Sequence, residues 1–310
     1  MNLKTSLILS ATLNTDTFSS LIYALDIPLD TEGEYVDNSK KHKGMIVAYH
    51  AEQYKKRISI LFDLSILLPH SSTLESLPRK IRKRLRKYFR DQLAQLKFSL
   101  SSAFIAVNLN LGNRGTVEDY LTVLRRIGRV KGYTLKSDCA IGGTPSFLHW
   151  IGNSNSTALR LCSLEDGNGT AQGILRAEVQ LLKNKAVCKY IKATEPEEQM
   201  IELADNAERI FLRVFATIVP YGVFLKQPDA VRLIQTTVLN ARLRQKMWRL
   251  ISLIPDKKSL LGGQKAVGCR DIRGLMDAFV DIDLSPVTIA KRHQCSQLPN
   301  LYDFLPFDWG

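Results

Sequence analysis

Short apolar runs of strand length dominate the first two thirds of the chain. Each is rich in β-branched or aromatic residues, and several alternate apolar with polar positions, which is typical of half-buried strands. The strands predicted in this way are residues 3–12, 44–50, 57–68, 102–111, 146–151, 157–164 and 174–182. Residues 30–43 are polar and charged, which indicates a connection, and turn-rich segments separate the last three strands as in an antiparallel meander.

Apolar residues at spacings of three and four predict helices instead. Ile81, Leu85 and Phe89 belong to one such series, which Pro78 opens. A second series over residues 117–127 follows Thr116, a good N-cap residue. Beyond residue 199 this spacing prevails, and the helices predicted there are residues 200–218, 229–254, 271–280 and a short one at 285–294.

The composition changes at residues 192–199 (KATEPEEQ), which are acidic and contain a proline. Such a segment is typical of a linker that buries little backbone. We therefore expect an α+β domain over residues 1–192, with an antiparallel sheet of about six strands and helices on one face. A smaller helical domain is expected over residues 200–310.

Composition argues against a membrane protein and against a disulfide or zinc-knuckle scaffold. No apolar run in the 310 residues approaches the roughly 18 needed for a membrane span. The segment MNLKTSLIL has too short an apolar core for a secretory signal. The five cysteines lie 23 or more residues apart, outside any Cys-x-x-Cys pair or local cysteine–histidine cluster. We therefore expect free thiols in a cytoplasmic protein.

Charge is the unusual feature of the composition. Lysine and arginine number 43 against 30 acidic residues, a net charge of +13, which points to a polyanionic partner. Residues 79–90 (RKIRKRLRKYFR) hold eight cations and no acid. Such a helix repels itself unless anions lie alongside it, so we expect it to contact nucleic acid, and we favour DNA over RNA. The alternative is a solvated basic face without a ligand.

The residues predicted to bind nucleic acid lie in two basic segments. They are Arg79, Lys80, Arg82, Lys83, Arg84, Arg86, Lys87 and Arg90 in the first segment, and Arg125, Arg126 and Arg129 in the second.

Common nucleotide-binding and hydrolase motifs are missing from the sequence, since neither GxxxxGK[ST] nor HExxH occurs. Residues 274–283 (GLMDAFVDID) resemble one copy of the LAGLIDADG helix of homing endonucleases. That motif requires small residues after its acid for close helix packing, whereas Phe279 and Val280 are bulky here. A homing endonuclease is therefore the lesser alternative.

Glu178 is the candidate metal ligand and a candidate catalytic residue. It lies in the predicted strand ILRAEVQLL, where the period of two places Arg176 and Gln180 on the same face. A carboxylate in this position could help to hold Mg²⁺ or Mn²⁺. The alternative is a half-exposed strand carboxylate paired with Arg176.

The order of these segments resembles the gene II family of filamentous phages, which are rolling-circle replication initiators that nick one DNA strand. Three stretches within residues 104–191 carry the resemblance: FIAVNLNLGNRGTVEDYLTVLRRI, TALRLCSLED and LRAEVQLLKNKAVCKYI. The resemblance implies a DNA-binding replication protein of phage or plasmid type that cuts DNA with a tyrosine nucleophile and a divalent metal. It places the tyrosine in the second stretch and an arginine-x-glutamate strand in the third.

The chain departs from this family where the chemistry would occur. Val107-Asn108 stands where the family has an acid after arginine, and residues 161–164 (LCSL) contain no tyrosine. Tyr190, which follows the Glu178 strand and has lysines nearby, is the nearest candidate nucleophile. The alternative for Tyr190 is an amphipathic residue at a strand end. Two functions therefore stay open: a DNA-nicking replication initiator, and a nucleic-acid-binding protein without catalysis.

Overall fold

The computed structural model describes residues 3–29, 32–39, 42–68, 73–138, 146–165 and 171–307. Cys139, one of the expected free thiols, lies outside these ranges. The fold is mixed α+β, with a large antiparallel sheet and a helical C-terminal region, as the sequence predicts. Within the described ranges, none of the helices has both the length and the hydropathy of a transmembrane span.

Of the twelve strands in the described residues, ten form the large sheet and two form a small antiparallel pair. The ten strands are β1 Leu3–Leu13, β2 Gly33–Asp37, β3 Met45–Glu52, β4 Lys55–Asp63, β5 Ser99–Asn110, β6 Arg129–Val130, β7 Tyr133–Asp138, β8 Phe147–Gly152, β9 Thr157–Glu165 and β10 Ala171–Leu181. Their order across the sheet is β2-β3-β4-β1-β5-β10-β9-β8-β7-β6. The small pair consists of β11 Phe224–Leu225 and β12 Gln297–Leu298.

Three strands of the sheet, β2, β6 and β7, lie outside the predicted ones. β2 falls within the segment that is expected to be a connection. It is an edge strand without a fully buried position, and only Tyr35 and Asp37 are half-buried. The alternation that predicts a strand is weak where so little is buried. β4 ends earlier than predicted, at Asp63, whose carboxylate accepts a hydrogen bond from the Ser65 backbone N–H at 2.9 Å and so begins a short helix.

Eleven α-helices occur in the described ranges. They are α1 Thr15–Ala24, α2 Leu64–Leu67, α3 Leu77–Phe89, α4 Arg114–Leu124, α5 Asn184–Val187, α6 Pro196–Asp205, α7 Ala207–Ile218, α8 Gln227–Thr237, α9 Ala241–Lys257, α10 Leu260–Ala266 and α11 Ile272–Val280. Short 3₁₀ segments are Leu74–Ser76, Arg90–Gln95, Arg125–Ile127 and Leu301–Phe304.

The helix boundaries differ from the predicted ones where side chains cap the backbone. Asn113, and not Thr116, is the N-cap of α4, because its side chain accepts a hydrogen bond from the Thr116 backbone N–H. Asn240 caps α9 in the same way, so that the helix predicted over residues 229–254 divides into α8 and α9. Residues 285–294 contain no helix; this segment instead contributes the isolated bridge of Ile289 with Lys226.

The chain divides into two compact units, each built from separated segments. The first unit combines Ala106–Val179 with Phe211–Gly310, and the second combines Leu3–Ile105 with Gln180–Ile210. The segment predicted as a linker, residues 192–199, lies inside the second unit, where Pro196 begins α6. The difference has a physical cause: an acidic composition reports local solvation, whereas a compact unit is defined by contacts between distant segments.

Candidate nucleic-acid interface

α3 is an amphipathic helix with one fully apolar side. Pro78 lies in its first turn, where the missing N–H costs no hydrogen bond. The buried positions recur at the helical period and consist of Leu77, Ile81, Leu85, Tyr88 and Phe89. This side packs into the second unit, so the opposite side is presented to solvent.

The solvent side of α3 carries a continuous row of cations. We call this row the α3 basic stripe; it consists of Arg79, Lys83, Arg86, Lys87 and Arg90, all exposed. At about 100° per residue the first four fall within a sector of about 100°, opposite the buried side, and they extend over about 12 Å of helix. Arg90 follows directly after the last turn. Among the described residues, no acidic side chain forms a salt bridge with any of the five.

The other predicted cations of this helix are used differently. The Lys80 ammonium donates a hydrogen bond to the Leu67 carbonyl oxygen at 3.0 Å. The Arg82 guanidinium forms an ion pair with the Glu197 carboxylate on α6. Arg84 is half-buried. Lys80 and Arg82 therefore help to fix α3 in the second unit, and Glu197 is a partner that the sequence analysis did not identify.

A chain of hydrogen bonds holds the last turn of α3. The Tyr49 hydroxyl donates to the Tyr88 hydroxyl at 3.2 Å, and the Tyr88 hydroxyl donates to the Asp37 carboxylate at 2.9 Å. Burial raises the pKa of Tyr88, so it stays a donor. Burial also pushes the pKa of Asp37 upward, but hydrogen bonds from the Ser39 N–H and the Tyr88 hydroxyl outweigh it, and the pKa lies below its ordinary value of 3.8. Asp37 is thus an ionised anchor between β2 and the basic helix.

The second predicted basic segment belongs to the first unit. Arg125 and Arg129 are exposed. Arg126 is half-buried, and its guanidinium donates to the Thr288 carbonyl oxygen at 2.5 Å. Burial lowers the pKa of Arg126, which nevertheless stays charged, so this side chain ties the end of α4 to the C-terminal region.

Glu178 lies on β10 and is paired with Arg176, which is the alternative to a metal ligand given in the sequence analysis. Its carboxylate is 3.0 Å from the Arg176 guanidinium, and its side chain is 18% exposed. Leu175, Ala177 and Val179 alternate with these two and are fully buried. Arg176 and Glu178 therefore point to the less covered side of the sheet.

Further polar side chains accompany Glu178 in the first unit. Cys162 on β9 lies close enough to Arg160, Arg176 and Glu178 for their charges to affect its pKa, which burial raises above its ordinary value. The Arg160 guanidinium lies 5.0 Å from the centre of the Phe147 ring on β8. We call Arg160, Cys162, Arg176 and Glu178 the polar sheet face. Arg160 was missed by the sequence analysis, although its alternation with Leu159 and Leu161 marks it as outward-facing.

The candidate nucleophile Tyr190 lies in a turn after α5, where its backbone N–H donates to the Val187 carbonyl oxygen at 3.0 Å. Its side chain is half-buried. Tyr190 belongs to the second unit and Glu178 to the first. Residues 161–164, where the resemblance places the tyrosine, include Cys162, whose pKa is raised by burial, so that it stays a thiol and is a poor nucleophile.

The segment resembling a homing-endonuclease helix forms α11, with Asp271 as its N-cap. Phe279 is 1% exposed and is part of the core. Phe279 is thus a bulky core residue at a position where close pairing of two helices requires a small one. The packing of α11 therefore does not support a homing endonuclease.

Comparison with known proteins adds little to what the geometry of α3 and β10 shows. No protein-family model matches the sequence, and no curated protein is significantly similar to it. Among solved structures, the chain is similar to a rolling circle replication initiator protein from Geobacillus stearothermophilus, with 13% sequence identity, coverage of 94% of this chain and 100% of that chain, and a TM-score of 0.37.

Proposed function

We propose that the protein binds nucleic acid, with a preference for DNA, through the α3 basic stripe. The observation that carries this proposal is the row of five exposed cations, which have no acidic partner among the described residues and lie on the side of α3 opposite its buried residues. Ion pairs with neighbouring acids usually neutralise a solvated basic face. In the part of the chain that the structure describes, the one such pair on α3 uses Arg82, which is outside the stripe.

The stripe is electrostatically unfavourable in the free protein. Arg79 and Lys83, and Lys83 and Lys87, are like charges four residues apart, and each such pair costs about 0.2–0.5 kcal/mol of helix stability. A phosphate backbone along the helix converts this repulsion into attraction and releases condensed counterions. The buried side of α3 fixes the direction of the stripe, so the cations are arranged before binding.

Salt dependence of DNA affinity tests the proposal. If the stripe neutralises about five phosphates, a plot of log K against log salt concentration has a slope of about −4.5 for duplex DNA. Changing Lys83, Arg86 and Lys87 to Gln removes three charges and keeps the aliphatic stems. We expect the slope to become about −2 and the affinity at about 0.1 M salt to fall by at least tenfold.

A matched variant separates contact from overall charge. Arg242, Lys246 and Arg249 are exposed cations at spacings of four and three on α9. Changing these three to Gln gives the same net charge as the α3 variant, and we expect it to keep most of the slope. If both variants flatten the slope equally, α3 is not the binding surface. Duplex DNA, single-stranded DNA and duplex RNA of equal length, compared in the same buffer, test the preference for DNA.

A second candidate function is metal-dependent DNA nicking, and the polar sheet face is the observation that favours it. Glu178 offers a carboxylate oxygen, the ligand type that Mg²⁺ and Mn²⁺ prefer, and Arg160 and Arg176 could contact phosphate. A single carboxylate already paired with a guanidinium is a poor fit for a magnesium site, so nicking ranks below binding. In this function Tyr190 would attack a backbone phosphorus, form a phosphotyrosine with the 5′ end and release the 3′ hydroxyl.

A further inference from the structure

Asp119, His293 and Cys295 bring three metal-ligating groups together in the first unit. The three ligand atoms all lie within 4.8 Å of one another. Cys295 Sγ is 3.0 Å from His293 Nδ1, and Asp119 Oδ1 is 3.4 Å from His293 Nε2. All three residues are half-buried, so the cluster is partly accessible to solvent. The cluster corrects the expectation that the cysteines lie away from any histidine.

The backbone on both sides of the cluster is held in place. Asp119 is in α4, and the hydroxyl of the adjacent Tyr120 donates to the Pro299 carbonyl oxygen at 2.8 Å. On the other side, the His293 backbone N–H donates to the Ala290 carbonyl oxygen at 2.9 Å, and the β11–β12 pair begins two residues after Cys295. Asp119 is therefore held in α4, while His293 and Cys295 lie in the irregular segment that leads into β12.

The chemistry of the donor set favours zinc. A thiolate, an imidazole and a carboxylate suit Zn²⁺, whereas Mg²⁺ and Ca²⁺ take oxygen ligands almost alone. Only one nitrogen of the His293 ring can bind the ion, so Cys295 or Asp119 must rotate toward the nitrogen that the other residue contacts. The ligand atoms lie within 4.8 Å of one another, and tetrahedral zinc, with bonds of about 2.0–2.3 Å, holds its ligand atoms about 3–4 Å apart.

We propose that Asp119, His293 and Cys295 bind one Zn²⁺ ion, with water in the fourth position, and that the ion fastens α4 to the C-terminal segment. The proposal is independent of nucleic-acid binding, because α3 belongs to the second unit. A site with three protein ligands and an open fourth position has the composition of zinc sites that can bind a further ligand.

Metal binding to the full-length, reduced protein tests the proposal. After removal of metal with a chelator, titration with zinc chloride should show one tight site per chain. Co²⁺ in place of Zn²⁺ should give the near-ultraviolet charge-transfer absorption of a cobalt–thiolate bond. We expect Cys295→Ser and His293→Gln to weaken zinc binding by at least about a hundredfold. Residues that only hydrogen-bond to a metal ligand already cost about 10–100-fold when changed, and a lost ligand should cost at least as much. Zinc should also raise the thermal midpoint of the wild type and leave that of Cys295→Ser unchanged.

Cys269→Ser is the matched control. Cys269 is a half-buried free thiol in the same unit, and its Sγ contacts only the Asp271 carbonyl oxygen among the hydrogen bonds of the described residues. This variant should bind zinc as the wild type does. The proposal is overturned if the wild type binds no zinc, if its cobalt form lacks the thiolate band, or if Cys295→Ser and Cys269→Ser bind zinc equally. The cobalt spectrum of the wild type decides the question even if a variant fails to fold.

Discussion

Arg82 and Lys83 are neighbours on α3 with the same charge and different surroundings. The Arg82 guanidinium is paired with the Glu197 carboxylate, whereas Lys83 is exposed and forms no salt bridge within the described residues. Whether a cation is available for a phosphate therefore depends on what the fold places beside it. This difference can be measured with single substitutions.

Lys83→Gln should weaken DNA binding, and Arg82→Gln should not. The loss of one phosphate contact makes the slope of log K against log salt less steep by about 0.9. Arg82→Gln instead removes a half-exposed ion pair, so we expect a loss of stability within about 0.5 kcal/mol and an unchanged slope. Fluorescence anisotropy at several salt concentrations measures the slopes, and urea unfolding measures the stabilities. A larger slope change for Arg82→Gln would place the DNA along a different side of α3.

Glu178→Gln and Tyr190→Phe test the nicking function. If the protein cuts supercoiled DNA with Mn²⁺, Glu178→Gln should abolish cleavage and keep DNA binding, because the amide packs like the carboxylate but does not attract the ion. Tyr190→Phe should abolish the protein-linked 5′ end, because only the hydroxyl is lost. Gel assays for nicked circles and for labelled protein measure both.

Glu118→Gln and Tyr54→Phe are the controls for these variants, since Glu118 forms a surface pair with Arg114 and Tyr54 is 91% exposed. Both should cut as the wild type does. Nicking by Tyr190→Phe at the wild-type rate would assign the nucleophile to another residue. If the wild type does not nick DNA with Mg²⁺ or Mn²⁺, nicking is ruled out and nucleic-acid binding is the remaining function.

At the scale of elements, the position of α3 depends on polar contacts that reach it from other elements. The Asp37 carboxylate at the end of β2 accepts from Tyr88 in the last turn, and Lys80 donates to the Leu67 carbonyl at the end of α2. The buried side of α3 fixes which side of the helix faces solvent. These two polar contacts add to that packing at both ends of the helix.

Asp37→Asn should reduce stability at neutral pH and have a smaller effect in acid. The pKa of Asp37 is lowered in the folded protein, so the folded state binds fewer protons, and the stabilisation is present above its ordinary pKa of 3.8 and is lost as the pH falls through the lowered value. A hydrogen bond to a charged group contributes about 1.5–3 kcal/mol. We expect a loss of about 1–2 kcal/mol near pH 7 that shrinks toward pH 3, measured by urea unfolding.

Tyr88→Phe should show the same pH dependence, because it removes the donor to the same carboxylate. Asp91→Asn is the control, since Asp91 is exposed and lies two residues after the end of α3. A loss of stability for Asp37→Asn that is the same at neutral and acid pH would mean that the bond to Tyr88 does not depend on the charge.

At the scale of the whole molecule, both compact units contain segments from before and after residue 192. The first combines Ala106–Val179 with Phe211–Gly310, and the second combines Leu3–Ile105 with Gln180–Ile210. Each unit therefore includes residues from both predicted domains.

Trypsin should cut after Lys192, which is exposed and lies between elements, without separating the pieces. Because residues 1–192 and 193–310 both contribute to both units, we expect one species in native size-exclusion chromatography and two bands in a denaturing gel. Glu202→Gln should speed the cut, since the Glu202 carboxylate accepts from the backbone N–H groups of Lys192 and Ala193. Pieces that separate under native conditions would show that residues 1–192 fold as an independent domain.

Local periodicity allowed the sequence to determine most of the elements and the main candidate interface. Short apolar runs, several of them alternating over two residues, identified seven strands, and spacings of three and four identified α3 with its basic side. These signals depend only on neighbouring residues. The sequence did not predict the edge strand β2, because so little of it is buried. It also did not predict the exact ends of the helices, because side-chain hydrogen bonds decide where a helix begins.

Only the tertiary structure decided which cations of α3 are free, how the segments combine into two units, and that Asp119 meets His293 and Cys295. Each of these depends on contacts between residues far apart in the chain. Such contacts are fixed by strand order and helix packing, which no pattern of neighbouring residues records.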